Sequence, residues 1–170
     1  YELNVSCPNT RHGGIMFGSD PVLLEEVVAS AKNAATRPLI VKLSPNVTSI
    51  PQMARAAENA GADALSLVNT FVALAIDAET RKPRISNITA GLSGPAIKPI
   101  ALRMVYEAAH SVDIPVIGIG GITTAVDVVE FMLAGAAAIQ VGTANYFDPC
   151  ATEKIVDGLR NWCIEHRVDR

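Results

Sequence analysis

The stretch Val116-Ile117-Gly118-Ile119-Gly120-Gly121-Ile122-Thr123 decides the fold of this 170-residue chain. An apolar run closed by a glycine pair is typical of a buried strand that ends in a tight, ligand-facing turn. A dinucleotide-binding fingerprint needs a further glycine where Thr123 stands, and an acidic residue at the end of the following strand. The sequence has neither, so the stretch predicts a parallel β/α sheet and argues against an open Rossmann sheet.

Apolar runs and amphipathic helical patterns alternate along the rest of the chain. The predicted strands are 1–5, 39–43, 64–68, 116–121 and 137–141. The predicted helices are 20–36, a segment that ends before Gly61, 95–110, 123–134 and 150–166. The segment 71–94 is a long polar excursion that is expected to hold a hairpin. Strands of this kind, separated by helices, form a parallel sheet with crossover helices, as in a (β/α)8 barrel.

Polar or glycine residues stand at the carboxyl end of every predicted strand. In a barrel, as in an open parallel sheet, this edge is where ligands bind. The strand ends therefore predict a single site formed by Cys7, Lys42, Asn69, Gly120-Gly121 and Gly142-Thr143.

The turns after the last two strands, Gly120-Gly121 and Gly142-Thr143, have the composition of a phosphate site. Backbone N–H groups at such turns can surround a phosphate, and barrels bind phosphate after their last two strands. For either pair taken alone, the alternative to a phosphate site is that the glycines only permit a tight turn.

Lys42 ends an otherwise apolar strand, where an ammonium group is costly to bury without an anionic partner. Because no acidic residue is expected nearby on a strand, a bound anion is favoured over a structural salt bridge. The amides of Asn4, Asn9 and Asn69 offer donors and acceptors suited to a flat polar ring, and Thr70 adds a hydroxyl. Capping of the following turn is the alternative role for Asn69 and Thr70.

Cys7 lies between Asn4 and Asn9, with a proline after it and the pair Gly13-Gly14 further on. This arrangement is typical of a reactive thiol held at a strand end beside a movable loop. A small buried cysteine at a strand-to-loop corner is the alternative.

Composition excludes several classes of protein. With 49% hydrophobic and 18% charged residues, the chain is predicted to form one domain over 1–170. A net charge of -3 without any Lys/Arg cluster indicates neither nucleic acid nor a membrane surface as partner. The three cysteines and three histidines lack metal-ligand spacing, so no metal site is expected, and the cysteine usage fits a reducing compartment, the cytoplasm.

Seven motifs, distributed in order along nearly the whole chain, resemble those of the dihydroorotate dehydrogenases. The narrower resemblance is to the catalytic subunit of the two-subunit, NAD-linked class, class 1B. The motifs are NVSCPN at 4–9, VKLSPNVT at 41–48, VNT at 68–70, ETRKP at 79–83, GLSGPAIKPIALRMVYE at 91–107, GIGGI at 118–122 and QVGTANY at 140–146.

The resemblance implies a (β/α)8 barrel that holds FMN, of which this chain supplies about the last five β/α units. Tyr1 then falls at the fourth barrel strand, and three units precede it. The chain also begins inside a predicted strand and without methionine, so it is expected to be a fragment of a longer protein.

The resemblance assigns roles to individual residues. Cys7 resembles the catalytic base that removes a proton from C5 of dihydroorotate while hydride leaves C6 for flavin N5. Lys42 resembles the lysine beside the pyrimidine edge of the flavin. The substrate-binding positions are Asn4, Asn9, Asn69 and Thr70, of which Asn4 also contacts the flavin. The remaining FMN positions are Val68, Gly94, Gly120, Gly121, Gly142 and Thr143, the last four at the phosphate.

The resemblance also implies oxidation of dihydroorotate to orotate in UMP biosynthesis, with a partner subunit that carries FAD and a 2Fe-2S cluster and reduces NAD+. A homodimer of catalytic subunits within a heterotetramer is the implied assembly. Two alternatives stay open: a dihydropyrimidine dehydrogenase barrel, against which ETRKP and GLSGPAIKP argue, and a catalytically inactive open-barrel fragment.

Overall fold

The computed structural model describes residues 1–6 and 17–168, which form alternating strands and helices. In chain order the strands are β1 Glu2–Asn4, β2 Ile40–Lys42, β3 Ala64–Leu67, β4 Phe71–Leu74, β5 Ile76–Asp77, β6 Lys82–Pro83, β7 Thr89–Leu92, β8 Val116–Ile119 and β9 Ala138–Gln140. The helices are α1 Pro21–Ala34, α2 Ile50–Asn59, α3 Lys98–Ala109, α4 Ala125–Leu133, α5 Ala144–Phe147 and α6 Ala151–His166. Within the described ranges, no helix is both long enough and apolar enough to cross a membrane.

Five of these strands form one parallel sheet in the order β1-β2-β3-β8-β9. The register places Asn4 beside Lys42 and Lys42 beside Ser66, so three polar side chains lie in one row across neighbouring strands. Each predicted strand is present, although the hydrogen-bonded ladder is shorter than the apolar run that predicted it. The alternation of strands and helices predicted from the sequence is confirmed.

Local signals in the sequence explain where the helices begin and end. The Asp20 carboxylate caps α1 by accepting hydrogen bonds from the N–H groups of Val22 and Leu23, and Pro21 occupies the first turn. After α2, Gly61 takes a φ of 96°, which is a left-handed conformation that glycine adopts without strain.

Three details differ from the sequence prediction. The predicted helix 95–110 begins with a single 3-10 turn, Pro95–Ile97, before α3. The predicted helix 123–134 begins only at Ala125, because the Thr124 side chain caps it. Helix α5 was not predicted from the sequence, since four residues are too few to show helical periodicity.

The excursion predicted between β3 and α3 consists of two antiparallel pairs. Strand β4 pairs with β7, and β5 pairs with β6. We call this segment, 71–92, the arm. Its β7 strand is exposed throughout, so the arm stands away from the core and begins directly after the third strand of the main sheet.

The core lies between the parallel sheet and its helices. Side chains alternate along a strand, so one face of the sheet carries Val41 and Leu65, both fully buried. The helices contribute Leu24, Val105 and Phe131, which are also fully buried. The opposite face carries the row of polar side chains on β1, β2 and β3, and the candidate functional site lies at its carboxyl edge.

Gly118 in β8 provides a test of this packing. A Cβ at this position would lie 2.6 Å from Cδ1 of Phe131. Because Phe131 is fully buried, we expect Gly118→Ala to lower the free energy of unfolding by about 1–3 kcal/mol in a urea titration. The control is Gly142→Ala, since a Cβ there meets nothing within 4 Å. Equal losses in the two variants would contradict the packing described.

Candidate active site

A cleft of about 210 Å³ opens at the carboxyl ends of β2, β3, β8 and β9. It brings together nine of the residues that the sequence analysis assigned to a site. They are Lys42, Val68, Asn69, Thr70, Gly94, Gly120, Gly121, Gly142 and Thr143. Residues from four separate strand ends and from the segment before α3 therefore line one cavity.

Of the remaining three assigned residues, the structure describes only Asn4, which does not line the cleft. Asn4 ends β1, and its Oδ1 accepts hydrogen bonds from the N–H and the hydroxyl of Ser6, at 3.1 and 2.7 Å. Nδ2 of Asn69 donates to the same Oδ1 at 3.5 Å, so Asn4 reaches the cleft through Asn69. Cys7 and Asn9 lie outside the described residues.

The Asn69 side chain is held by its neighbours. Its Nδ2 donates to the hydroxyl of Ser6 at 2.6 Å and to the carbonyl of Ser6 at 3.3 Å, and its Oδ1 accepts from the Thr70 N–H at 2.8 Å. Ser6 is buried and orients both Asn4 and Asn69. Ser6 was not among the residues predicted from the sequence, although its position between Asn4 and Cys7 could have indicated such a role.

Asn46 is a second residue that the sequence analysis missed. Its Nδ2 donates to the carbonyl of Thr70 at 3.2 Å, and its Oδ1 accepts from the Val72 N–H at 3.2 Å. The loop after β2 is thereby tied to the start of the arm. Gly91 in the arm packs against Thr70 so closely that a Cβ at this position would overlap the Thr70 side chain. The conformation of Thr70 is therefore coupled to the arm.

Lys42 corrects one expectation. The prediction that no acidic residue lies near Lys42 on a strand is wrong. Glu2 on the adjacent strand β1 places its Oε1 at 3.9 Å from Nζ of Lys42. Both side chains are partly exposed, 23% for Lys42 and 30% for Glu2. The pair is separated by 40 positions in the sequence, and only the parallel register of β1 and β2 brings it together.

The glycine turns approach one another by close backbone contact. Gly94, Gly120 and Gly121 have φ values of 90°, 130° and 73°, which residues with a side chain rarely adopt. A Cβ on Gly121 would lie 2.8 Å from the N of Lys98 and 2.9 Å from the carbonyl oxygen of Gly94. Glycine at 121 therefore allows the turn after β8 to contact the segment before α3.

The turn after β9 joins the same group. The Thr143 hydroxyl donates to the Ser93 hydroxyl at 2.8 Å, which links the last turn to the residue that follows the arm. The backbone N–H groups of Gly121, Gly142 and Thr143 make no hydrogen bond with another residue of the described chain. Three donors are thus available at this end of the cleft.

Asp127 fixes the turn after β8. Its carboxylate accepts from Lys98 Nζ at 2.5 Å, from the N–H groups of Thr123 and Thr124 at 2.8 Å each, and from the Thr123 hydroxyl at 3.0 Å. Burial acts to raise the pKa of Asp127, but these hydrogen bonds outweigh it and hold the pKa far below its usual range. Asp127 was not among the residues predicted from the sequence, although its spacing from Thr124, which is that of a capping box, could have indicated this role.

Lys98 is neutralised within the fold. Besides Asp127, it contacts the Glu130 carboxylate at 2.7 Å. The hydrogen bonds to Asp127 and then to Glu130 raise the pKa of Lys98. The lysine next to the turn after β8 is therefore engaged in holding the turn.

The sheet, its helices and the cleft at the carboxyl edge define part of a (β/α)8 barrel. Residues 1–162 match the sequence model of the family described as dihydroorotate dehydrogenase, and the chain belongs to this family.

Several curated relatives are similar over nearly the whole chain. A putative dihydroorotate dehydrogenase A (fumarate) of Solibacter usitatus is 67% identical over 94% of this chain and 52% of its own length. A dihydroorotate dehydrogenase B (NAD(+)) catalytic subunit of Pelobacter propionicus is 57% identical over 99% of this chain and 56% of its own length. The corresponding subunit of Geotalea uraniireducens is 56% identical over 98% and 55%. The chain spans about half the length of these relatives.

A solved structure supports the fold. The dihydroorotate dehydrogenase of Eimeria tenella, crystallised in complex with ferulenol, superposes with a TM-score of 0.81 over 98% of this chain and 50% of its own chain. At 23% sequence identity this likeness concerns the fold. The predicted fold class, a partial (β/α)8 barrel, is confirmed.

Asp127→Asn tests the rigidity of the turn after β8. Replacing the carboxylate weakens a charge-assisted, buried hydrogen-bond network, so we expect a loss of about 2 kcal/mol in the free energy of unfolding at neutral pH. Because the folded chain lowers the pKa of Asp127, its contribution is complete above the pKa of an unfolded aspartate, about 3.9, and is lost as the pH falls below that value.

Urea titrations of both chains between pH 3 and pH 7 measure this difference. The expected gap between wild type and Asp127→Asn is constant from about pH 5 upward and narrows below about pH 4. Glu130→Gln is the matched control, because it removes the more exposed partner of Lys98 and should cost less than about 1 kcal/mol. A gap that widens on acidification would contradict the role of Asp127.

Proposed function

We propose that this chain is the FMN-binding part of a class 1B dihydroorotate dehydrogenase catalytic subunit, which oxidises dihydroorotate to orotate in UMP biosynthesis. One observation carries the proposal: nine residues assigned from separate motifs line a single cleft in a chain that belongs to this family. The organisation of 1–170 as one FMN-binding domain and its location in the cytoplasm are parts of the same proposal.

The names of the relatives point to two alternative electron acceptors. The Pelobacter and Geotalea relatives are named as NAD(+) enzymes, whereas the Solibacter relative is named as a fumarate enzyme. A fumarate-linked enzyme is therefore the second candidate. The NAD-linked candidate needs a partner subunit with FAD and a 2Fe-2S cluster, and the name "catalytic subunit" in the relatives supports such a partner.

The donors at one end of the cleft fit the phosphate of FMN. The free N–H groups of Gly121, Gly142 and Thr143 can donate to phosphate oxygens, and oriented backbone amides bind anions in this way. Since Lys98 is paired with Asp127 and Glu130, the amides and not this lysine would provide the contacts to the phosphate.

The other end of the cleft fits the ring of a flavin. Lys42 lines the wall and presents a cation where a reduced flavin would place negative charge. Val68 offers an apolar surface for the ring, and Gly94 leaves room beside it. Bound FMN supplies the hydride acceptor for the reaction.

The chain's own residues would remove the substrate proton and orient the substrate. We assign to Cys7 the removal of the C5 proton, for which an unperturbed thiol pKa of about 8.5 requires only a modest shift. Asn4, Asn9, Asn69 and Thr70 orient the substrate ring. Because Ser6 and the Thr70 N–H hold the Asn69 amide, this residue meets a ligand in a fixed orientation.

Turnover with defined substrates tests the proposal. The protein expressed from its complete coding sequence should oxidise dihydroorotate and not reduce uracil. NAD+ with an FAD/2Fe-2S subunit should sustain turnover, whereas fumarate should not. Uracil reduction would favour the dihydropyrimidine dehydrogenase alternative, and turnover with fumarate alone would favour the second candidate.

Cys7→Ser tests the base. A hydroxyl is a much weaker acid than a thiol, so we expect at least a hundredfold loss of kcat with FMN still bound. The measurements are dihydroorotate-dependent reduction of the flavin by stopped flow and flavin absorbance after gel filtration. Cys163→Ser is the control and should keep wild-type turnover. An unchanged rate in Cys7→Ser would remove Cys7 from this role.

Lys42→Ala tests the proposed flavin contact. Loss of the cation should weaken FMN binding, and the expected effect is about a tenfold higher dissociation constant in a fluorescence titration. Lys154→Ala is the matched control, because Lys154 pairs with Asp148 on the surface. Equal affinities for wild type and Lys42→Ala would place the flavin elsewhere.

A further inference from the structure

Glu2 connects the two ends of the parallel sheet. It lies on β1, and its Oε2 accepts a hydrogen bond at 3.0 Å from Nε2 of Gln140 on β9, at the other end of the strand order. Its Oε1 accepts from the hydroxyl of Ser66 on β3 at 3.3 Å. The sheet is therefore curled so that a single carboxylate touches its first, central and last strands.

The same carboxylate lies close to Lys42. Nζ of Lys42 is 3.9 Å from Oε1 of Glu2, which is within ion-pair distance but beyond hydrogen-bond length. The ammonium therefore keeps its donors for a ligand. Lys42 and Gln140 line the cleft, whereas Glu2 lies behind them.

Ser66 and Gln140 fix the position of this charge. Ser66 is fully buried, and its hydroxyl donates to Glu2 from the middle of the sheet. A carboxylate held from two sides has little freedom to turn toward solvent. Partly exposed ion pairs contribute little to stability, so the ion pair with Lys42 adds little to folding beyond these two hydrogen bonds.

We propose that Glu2 is a positioning residue that holds the Lys42 ammonium at the floor of the cleft and offsets part of its charge. The preference of the cleft for an anionic ring is then set by the pair Glu2 and Lys42 together with Gln140. This inference rests on the proposed function, in which Lys42 lies beside the flavin.

Glu2→Gln tests the inference because it removes the charge and keeps the shape. The new amide oxygen can still accept from Gln140, and the new amide nitrogen can donate to the Ser66 hydroxyl. With the counter-charge gone, the anionic reduced flavin gains more from Lys42 than the oxidised flavin does. The midpoint potential of bound FMN should rise, and the ratio of dissociation constants for oxidised and reduced FMN should increase about fivefold.

The measurement uses the protein expressed from its complete coding sequence, loaded with FMN and equilibrated with a reference dye. Repeating it in a Lys42→Met background separates an action through Lys42 from the direct field of the carboxylate, and there Glu2→Gln should change the ratio less than twofold. Glu130→Gln removes a carboxylate that pairs with Lys98 and should leave the potential unchanged. An unchanged or lowered potential in Glu2→Gln overturns the inference, as does an equal shift in the Lys42→Met background.

A measurement without flavin distinguishes failure of this inference from failure of the proposed function. Urea unfolding of wild type, Glu2→Gln, Lys42→Met and the double variant gives the coupling between the two side chains. We expect their effects on the unfolding equilibrium constant to be non-additive by about two- to fivefold, and additive effects would overturn the inference. If wild type binds no FMN, the proposed function fails and the flavin-tuning role fails with it, while the coupling still reports on the Glu2–Lys42 contact.

Glu2→Asp serves as a second variant in the potential measurement. It keeps the negative charge but moves it away from Lys42, so the midpoint potential of bound FMN should lie between those of wild type and Glu2→Gln.

Discussion

The alternation of side chains along the five parallel strands is the constraint on which this structure depends. In β2 and β3 it sends Val41 and Leu65 into the core and leaves Lys42 and Ser66 on the opposite face. A shift of one residue in either strand would exchange the two sets, exposing apolar side chains and burying an ammonium group. The same arrangement that builds the core therefore also delivers the polar side chains to one edge, where the cleft lies.

Much of the fold could be predicted because its signals are local. The apolar run ending in Gly120-Gly121 marked β8 and its turn, and Asp20 followed by Pro21 marked the start of α1. Parallel strands place their carboxyl ends at one edge, so residues that follow different strands could be expected to meet without knowledge of the strand order. The placement of Lys42 and Thr143 around one cleft has this origin. Their roles toward a ligand stay predictions.

The remaining features depend on register and on side-chain contacts between distant segments. Glu2 and Lys42 are 3.9 Å apart only because β1 and β2 are aligned as they are, and no periodicity in the sequence fixes that alignment. The bond between Asn69 and Ser6 is of the same kind. Asp127 lies between the two cases. The capping-box spacing of Thr124 and Asp127 could have been read from the sequence, whereas the contact of Asp127 with Lys98 from another helix could not.

The pairing of Lys98 has a consequence for the phosphate contact proposed at the glycine turns. With its charge already balanced by Asp127 and Glu130, this lysine adds little long-range attraction, and the turns present neutral amide dipoles of short reach. Ionic strength screens distant charges but hardly affects contacts between neighbouring groups. Under the proposed function, selection at this end of the cleft therefore follows the shape and the acceptor geometry of the phosphate group, and it persists in concentrated salt.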